Sequence, residues 1–340
     1  MKKTLKYWIG IGAIGLALTA CGTEESASPA EENEPAPSEE TTQFKIGATQ
    51  IVEHPSLDLA YEGFQQALED AGLDVNYDFQ SAQGDQNNTS AIANNFVADQ
   101  VDLIFANSTP SALGALQATS DIPILFTSVT DAVGSGLVTA MDQPGENITG
   151  VVDLHPETIE NTVSFIDQYF PDSSVGLIYN AGESNSVAQM EAIEAAAEGT
   201  SLTLMTRTVA TSAEVQQAAA SLVSEVDVLY IFTDNTVVSA FATVVAAAND
   251  QQIPLIVGEP NSLAAGGFAT YGIDYHSIGY RTGEMAVEVL TGEKTTTEIP
   301  VEYPAEMQLF INKEAAEAQG VEWNSEWDEI AEFYEAEEAE

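Results

Sequence analysis

The sequence predicts an α/β protein built from two similar, doubly wound lobes, each with a parallel sheet, and a ligand cleft between the lobes. The main observation is an order of elements that occurs twice along the chain. Each copy has a helix, a strand that begins Val-Asp, a polar segment, another helix and a strand that begins Ile-Pro. The copies lie at residues 90–126 and 213–257. Such a repeated order indicates two lobes of related fold.

The second observation is that the predicted strands end in small polar residues. In the first copy, the apolar run 101–106 has the length of a buried strand, and Asn, Ser and Thr follow it at 107–109. These are good N-cap residues, and Pro110 suits the first turn of a helix. In the second copy, residues 233–236 follow the apolar run 226–232 in the same way. Strand ends of this kind point polar groups into a crevice at one edge of the sheet.

The other elements follow from hydrophobic periodicity. In the first half, the pattern predicts a strand, a helix, a half-buried strand and a helix at 44–49, 57–68, 75–79 and 90–100. In the second half it predicts helix, strand, helix and strand at 156–169, 175–179, 187–197 and 202–205. A strand at 268–272, a helix that begins near Asp274 and returns to the first lobe, and small closing strands at 298–303 and 308–311 complete the prediction.

These elements divide the chain into lobes and terminal segments. We expect the first lobe to comprise residues 44–150 plus about 273–295, and the second to comprise 151–272 plus about 296–320. Residues 321–340 form an acidic C-terminal tail that we expect to be partly ordered and amphipathic.

The N-terminal segment has the pattern of an export signal. Lysines occupy positions 2, 3 and 6, and the apolar run 9–18 that follows is short for a membrane-spanning helix. The run ends Leu-Thr-Ala before Cys21, which resembles a bacterial lipobox. We therefore expect a signal peptide at 1–20 and a lipidated Cys21. Residues 21–43 are predicted to be a disordered acidic tether that leaves the protein on the outer face of the cell membrane.

The composition is strongly acidic, with 54 Asp and Glu against 8 Lys and Arg and a net charge of −46. A chain of this charge is a poor partner for nucleic acid, because phosphate binding needs basic residues. Self-repulsion on this scale opposes folding and is relieved by salt, which favours a halophilic or alkaline extracellular habitat. Cys21 is the only cysteine, so no disulfide can form within the chain.

The chain lacks the motifs of common catalytic sites. Its three histidines, at 54, 155 and 276, have no ligand spacing, and neither a nucleophile elbow nor a zinc-binding helix motif occurs. The glycines at 134 and 136 lack the spacing and the lysine of a phosphate loop. We therefore predict a protein that is not an enzyme and that needs neither a metal nor a cofactor.

The polar strand ends supply the candidate ligand-binding residues. Each of them alone is explained almost equally well as a helix cap, but their recurrence at nearly every strand end favours a cleft. The candidates are Gln50, His54, Ser108, Thr109, Ser128, Thr130, Asp131, Tyr179, Asn180, Asn185, Ser186, Asp234, Asn235, Glu259 and Asp274.

Several of these segments together resemble the substrate-binding lipoproteins of ABC transporters associated with tryptophan and tyrosine uptake. The resemblance covers roughly residues 44–320 and is carried by residues 53–58, 107–112, 126–131, 179–186, 233–236 and 271–275. It implies a type I periplasmic-binding-protein-like fold that closes around a small ligand. It also implies an ABC permease and its ATPase as partners, and a monomeric protein.

The residue chemistry agrees with an amino-acid ligand. Hydroxyls and N–H groups near Ser108 and Ser186 suit a carboxylate. Asp131, Asp234 or Asp274 can accept hydrogen bonds from an α-ammonium. The rings of His54, Tyr179 and Tyr275 are candidates for the wall around an aromatic side chain.

Two functions therefore remain open at the level of sequence. The favoured one is capture of an amino-acid-like ligand, such as tryptophan or tyrosine, by lobe closure and its delivery to a permease. The alternative is a ligand-sensing lipoprotein of the same fold that signals to a membrane receptor.

Overall fold

The computed structural model describes residues 43–334. The predicted signal peptide, the lipidation site Cys21, the tether as far as residue 42 and the last six residues lie outside the described residues. The described chain contains two sheets, one of five strands and one of seven.

The first sheet is parallel throughout and has the order β2-β1-β3-β4-β5. The central strands β3 and β4 and the edge strand β5 are buried along their whole length, as expected for apolar runs covered by helices on both faces. The strands are β1 (Gln43–Gln50), β2 (Asp74–Ser81), β3 (Leu103–Asn107), β4 (Ile124–Val129) and β5 (Ile148–Val152).

The second sheet has the order β12-β11-β10-β9-β8-β6-β7, and only β10 and β11 pair antiparallel. Apart from its two added strands β11 and β12, it repeats the strand order of the first sheet. Its strands are β6 (Ser174–Tyr179), β7 (Thr203–Thr208), β8 (Val228–Ile231), β9 (Leu255–Val257), β10 (Ala269–Gly272), β11 (Gln308–Ile311) and β12 (Glu332–Phe333). The predicted fold, two doubly wound lobes with predominantly parallel sheets, is confirmed.

The repeated Val-Asp pair has the same structural role in both lobes. Asp102 Oδ2 accepts a hydrogen bond from the backbone N–H of Lys45 at 2.7 Å, and Asp227 Oδ2 accepts one from that of Ser174 at 2.9 Å. In each lobe the aspartate thereby ties the start of the third strand to the first strand. This aspartate lies at the end of the sheet opposite to the cleft, so its recurrence reflects strand pairing and not ligand binding.

Helices cover both faces of each sheet. In the first lobe, α1 and α10 pack on one face, and α2 and α3 pack on the other. These helices are α1 (Pro55–Asp70), α2 (Gln86–Ala98), α3 (Thr109–Ala118) and α10 (Tyr275–Leu290). In the second lobe, α4 and α5 share one apolar core with α12, and α6, α7 and α8 share the other. The second-lobe helices are α4 (Thr158–Tyr169), α5 (Ser184–Ala197), α6 (Ser212–Leu222), α7 (Asn235–Val238), α8 (Phe241–Gln251), α9 (Asn261–Ala264), α11 (Lys313–Ala318) and α12 (Trp327–Ile330).

The return of α10 to the first lobe depends on close packing against α1. A Cβ atom at Gly279 would collide with the carbonyl of Ala60, and one at Gly63 would collide with that of His276. Glycine at these positions therefore allows the two helix backbones to touch. The chain thus crosses between the lobes after β5, again before α10 and a third time between Glu302 and β11.

Two segments differ from the sequence-based boundaries. Residues 296–302 stay with the first lobe, where a 3-10 helix (Thr296–Glu298) precedes Glu302, whose N–H donates to the carbonyl of Gly150 at 3.1 Å. The predicted strand at 298–303 is wrong, because only Glu302 makes a β-bridge, with Val151. Within the predicted tail, the described residues 321–334 belong to the second lobe. Trp327 is buried there, and β12 adds a strand beside β11.

No helix among the described residues is both long enough and apolar enough to cross a membrane.

Candidate functional site

A cavity lies between the lobes at the carboxyl ends of the strands. Each sheet reverses its winding direction there, which is where doubly wound folds bind ligands. The cavity is lined by Val52, His54, Ser56, Leu57, Ser128, Thr130, Asp153, Asn185, Thr233, Asp234, Asn235, Val238, Glu259 and Tyr275.

About half of the predicted site residues line this cavity. They come from both lobes and lie at or just after the ends of β1, β4, β6, β8 and β9. They are His54, Ser128, Thr130, Asn185, Asp234, Asn235 and Glu259, together with Tyr275, which was predicted as a wall residue.

The other predicted residues of the first lobe and of the second crossing do not line the cavity. Gln50 is buried below it and donates to Asp58 Oδ1 at 2.8 Å. Ser108 caps α3, and Thr109 is buried in the first turn of that helix. Asp131 accepts from the N–H of Gly134 at 2.8 Å, and exposed Asp274 caps α10, so both aspartates stabilise local chain turns.

Three predicted residues of the second lobe also lie outside the cavity lining. Tyr179 packs against Phe232, with ring centroids 6.2 Å apart. Asn180 faces a more open part of the cleft and donates to Thr236 Oγ1 at 2.9 Å. Ser186 donates its hydroxyl hydrogen to Asp234 Oδ2 at 2.7 Å. These side chains support the site and do not face its centre.

Asp234 is wholly engaged by its own lobe, although it lines the cavity. Its Oδ2 accepts from the N–H of Asn180 at 2.6 Å and from Ser186, and its Oδ1 accepts from the N–H of Val237 at 2.8 Å. Burial and the nearby charge of Glu183 raise the pKa of Asp234 to about 6. Both oxygens of Asp234 thus already hold α5 and α7 in place, so this carboxylate offers no unpaired oxygen to the ligand ammonium that the sequence led us to expect there.

Glu183 is a second buried carboxylate beside this site. It accepts from Asn235 Nδ2 at 2.6 Å and from Thr236 Oγ1 at 2.8 Å. It therefore fixes Asn235, one of the cavity-lining amides, in a single orientation.

Sequence reasoning missed Asp153, which follows β5 where the chain first crosses between the lobes. Its Oδ2 accepts a hydrogen bond from the Tyr275 hydroxyl at 3.0 Å. Burial raises the pKa of Asp153 to about 6. The hydrogen bond from Tyr275 and the nearby Thr130 hydroxyl oppose this rise, and the charge of Glu259 adds to it. The available signal was its position, since it is the polar residue that directly follows a buried strand. The other lining residues outside the candidate set are Val52, Ser56, Leu57, Thr233 and Val238.

Three of the lining residues have buried polar atoms without a hydrogen-bond partner in the described structure. These atoms are Ser128 Oγ, Asp153 Oδ1 and Asn185 Oδ1. Ser128 also has a φ of 54°, a left-handed conformation that is costly for a residue other than glycine. Unpaired buried polar groups and backbone strain both concentrate where a ligand completes the structure.

Two hydrogen bonds cross the cavity from Ser56 in the first lobe to the second lobe. Its hydroxyl donates to Glu259 Oε2 and accepts from Asn261 Nδ2 at 2.9 Å. His54 Nε2 lies 3.9 Å from Glu259 Oε1, while His54 Nδ1 accepts from the N–H of Ser56 at 3.3 Å. The lobes thus meet through side chains that also line the cavity.

The electrostatic character of the cavity is acidic. Three carboxylates line it, from Asp153, Asp234 and Glu259, and no Lys or Arg lies among its lining residues. The five basic residues of the described chain, Lys45, Arg207, Arg281, Lys294 and Lys313, all pair with acids elsewhere. Residues 43–334 contain no cluster of three His, Cys, Asp or Glu side chains that could hold a metal ion.

Two lobes of the same winding and a polar cavity between their strand ends define the type I periplasmic-binding-protein fold. Residues 45–332 match the family model of ABC transporter substrate binding proteins. The chain belongs to this family, which consists of solute-binding proteins and not of enzymes.

Individual relatives are similar over nearly the whole chain. The tyrosine-binding protein of Clostridioides difficile (strain R20291) is 41% identical over 323 residues, which cover 93% of this chain and 92% of that protein. The solved ABC domain of Streptococcus pneumoniae in complex with L-Trp is 33% identical, with a TM-score of 0.81 and coverage of 86% and 99%. The ligand-free, open structure of a Clostridium difficile substrate-binding protein with adhesive properties is 38% identical, with a TM-score of 0.64 and coverage of 86% and 100%.

Proposed function

We propose that this protein is the extracellular solute-binding component of an ABC importer and that it captures an aromatic amino acid, with tyrosine or tryptophan favoured. The observation that carries the proposal is the convergence of Ser128 Oγ, Asp153 Oδ1 and Asn185 Oδ1 in one cavity between the lobes. Two of these atoms are pure acceptors, which suits a ligand with a cationic amine. Burying them without partners would cost free energy that a bound ligand recovers.

The rest of the cavity lining suits the other parts of an amino acid. Hydroxyls of Ser128 and Thr130 can donate to a carboxylate, and no basic side chain is needed for that. The apolar side chains of Val52 and Leu57 and the ring of Tyr275 supply a wall for an aromatic side chain. The tyrosine-binding relative and the L-Trp complex support the same ligand class.

Capture by lobe closure is supported by the comparison of two solved relatives. The chain is more identical to the open, ligand-free protein (38%) than to the L-Trp complex (33%), yet its TM-score to the latter is higher, 0.81 against 0.64. The bonds from Ser56 to Glu259 and Asn261 form only when the lobes are close together. In this proposal the closed, loaded form is what delivers the ligand to a permease and its ATPase.

Binding is tested by a thermal-shift screen of purified protein against all the common amino acids, followed by calorimetry on the hits. A ligand that binds only the folded state raises Tm, by an amount that grows with concentration. We expect L-tyrosine or L-tryptophan to give the largest rise and their D-enantiomers and L-leucine to give little. A screen without an aromatic hit would contradict the proposed ligand class.

We further propose that the protein is held on the outer face of the cell membrane through a lipidated Cys21. The support is the lipobox-like segment that ends at Cys21. Two or more acyl chains at one cysteine anchor a protein stably, whereas a single chain is marginal. Mass spectrometry of the mature N-terminal peptide should show acylated cysteine, and Cys21→Ala should abolish membrane retention. An unmodified Cys21 in the wild type would refute the anchor without bearing on the ligand.

A further inference from the structure

We infer that Asp153 is the residue that holds the α-ammonium of the ligand and that the hydroxyl of Tyr275 positions its carboxylate for this task. The inference rests on the proposed function, because it assumes a ligand with a primary amine.

The position of Asp153 is fixed from two directions. Its backbone N–H donates to the carbonyl of Val129 at 3.0 Å, which continues the pairing of β5 with β4. The hydroxyl of Tyr275, the first residue of α10, donates to Oδ2 at 3.0 Å. Asp153 lies on the first crossing between the lobes and Tyr275 directly follows the second, so the bond joins these two crossings beside the cavity.

The two oxygens of Asp153 differ in a way that points to a ligand. Oδ2 has its donor in Tyr275, whereas Oδ1 is buried without a hydrogen-bond partner in the described structure. A buried carboxylate oxygen without a donor is costly, and an ammonium supplies both a donor and an opposite charge.

The other two carboxylates of the cavity lining are already satisfied. Asp234 receives its three donors from the second lobe. Both oxygens of Glu259 are also engaged: Ser56 and the N–H of Asn261 donate to Oε2, and Ser262 donates to Oε1. Among the lining carboxylates of the described chain, only Asp153 therefore has an oxygen that receives no hydrogen-bond donor.

Ionisation of Asp153 adds an independent argument. Burial raises the pKa of this carboxyl to about 6, so the charged form is disfavoured in the ligand-free cavity. An ammonium placed against Oδ1 would stabilise that charged form. A ligand with an amine therefore gains more from Asp153 than one without it, and we expect selection against ligands that lack the amine.

The test compares the affinities of the wild type and one variant for three ligands, measured by calorimetry on the full-length folded protein. The ligands are L-tyrosine, tyramine, which lacks the carboxylate, and desaminotyrosine, which lacks the amine. Asp153→Asn keeps the size of the side chain and removes its charge. We expect this variant to lower the affinity for L-tyrosine and for tyramine by about ten- to a hundred-fold, the usual cost of a lost charge-assisted hydrogen bond. We expect the affinity of the variant for desaminotyrosine to stay within about threefold of the wild-type value.

The outcomes separate this inference from the proposed function. Equal weakening of all three ligands, or none, would overturn the role of Asp153. If the wild type prefers L-tryptophan, then tryptamine and indole-3-propionate replace the two analogues. A wild type that binds neither aromatic amino acid contradicts the proposed function itself. Asp274→Asn is the matched control, because Asp274 is an exposed helix cap outside the cavity and its removal should change no affinity.

Positioning by Tyr275 has its own readout. Tyr275→Phe removes only the hydroxyl, and that hydroxyl now favours the charged form of Asp153. We expect the affinity of this variant to fall by about three- to tenfold, and only for the ligands that carry an amine. The acidic limb of the affinity–pH profile should also move to higher pH, since the pKa of Asp153 rises without its donor. A loss shared by desaminotyrosine, with an unmoved pH profile, would show that Tyr275 serves packing alone.

Discussion

The hydroxyl of Ser56 donates a hydrogen bond to the carboxylate of Glu259, and the two residues belong to different lobes. Ser56 lies in the first turn of α1, where His54 caps the helix. Glu259 follows β9 and is held by the N–H of Asn261 and the hydroxyl of Ser262. Because Glu259 is fixed within its own lobe and is only 3% exposed, Ser56 completes its hydrogen bonding only when the cleft is closed.

Removing this contact should favour the open form. Ser56→Ala loses the bonds to Glu259 and Asn261, which we expect to cost the closed state about 1–2 kcal/mol, or roughly five- to thirtyfold in ligand affinity. The loss should appear mainly as faster dissociation in stopped-flow measurements. Ser224→Ala, an exposed serine remote from the cavity, is the control. Unchanged dissociation in Ser56→Ala would mean that the contact does not stabilise closure.

Asp234 should behave as a structural residue. Asp234→Ala leaves the donors of Asn180, Ser186 and Val237 unpaired, and we expect the free energy of unfolding to fall by about 2–4 kcal/mol. Asp274→Ala removes only an exposed cap and should cost about 1 kcal/mol. Urea unfolding of the two variants measures the difference. Equal stability losses would contradict this ranking.

Asp153→Asn should stabilise the ligand-free protein while it weakens binding. The pKa of Asp153 rises from 3.8 to about 6 on folding, so the ionised carboxyl disfavours the folded state at pH 7. Above about pH 6 this penalty is fully present, and it disappears as the pH falls towards 4. Asn at this position is neutral and can still accept the hydrogen bond from Tyr275, so it avoids the ionisation penalty. We expect the free energy of unfolding to rise by about 1–3 kcal/mol at pH 7. A lower Tm for the variant at that pH would contradict the assignment.

Ligand affinity should fall in acid. An amine-bearing ligand needs Asp153 ionised, so its Kd should be flat above about pH 7 and rise up to tenfold per unit below pH 6. The ionisable side chains of His54, Asp234, Glu259 and Tyr275 also line the cavity. The comparison with Asp153→Asn isolates the contribution of Asp153, because the profile of the variant should be flatter. Parallel profiles of wild type and variant would assign the effect to another group.

Stability should rise with salt. All five basic residues of the described chain are already paired, which leaves most of the acids without a cation. Raising sodium chloride from about 0.05 M to about 1 M shortens the screening length from more than 10 Å to about 3 Å, and Tm should rise by at least several degrees. Potassium chloride should raise Tm by a similar amount. The rise should level off at high salt, whereas a salting-out effect would continue to grow. A flat Tm would refute the role of repulsion.

The sequence by itself determined the two lobes and the edge where they meet. Strand and helix periods are local, and the caps at Asn107–Thr109 and 233–236 mark strand ends whatever the rest of the chain does. The repeated order therefore predicted matched sheets, and the residues that follow their strands supplied His54, Ser128, Thr130, Asn185, Asn235 and Glu259 of the cavity lining.

Only the tertiary structure decided which of those groups is free to bind. A helix cap and a ligand acceptor use the same residue types, and their difference is whether a donor from elsewhere in the chain reaches the oxygen. Donors from three segments reach both oxygens of Asp234, while Asp153, which the sequence did not single out, keeps Oδ1 unpaired. Tertiary packing likewise determines the structure of the tail segment around Trp327, because its apolar side chains are buried only in the core of the folded second lobe. Local patterns specify where polar groups lie along the chain, and long-range packing determines which of them remain unsatisfied.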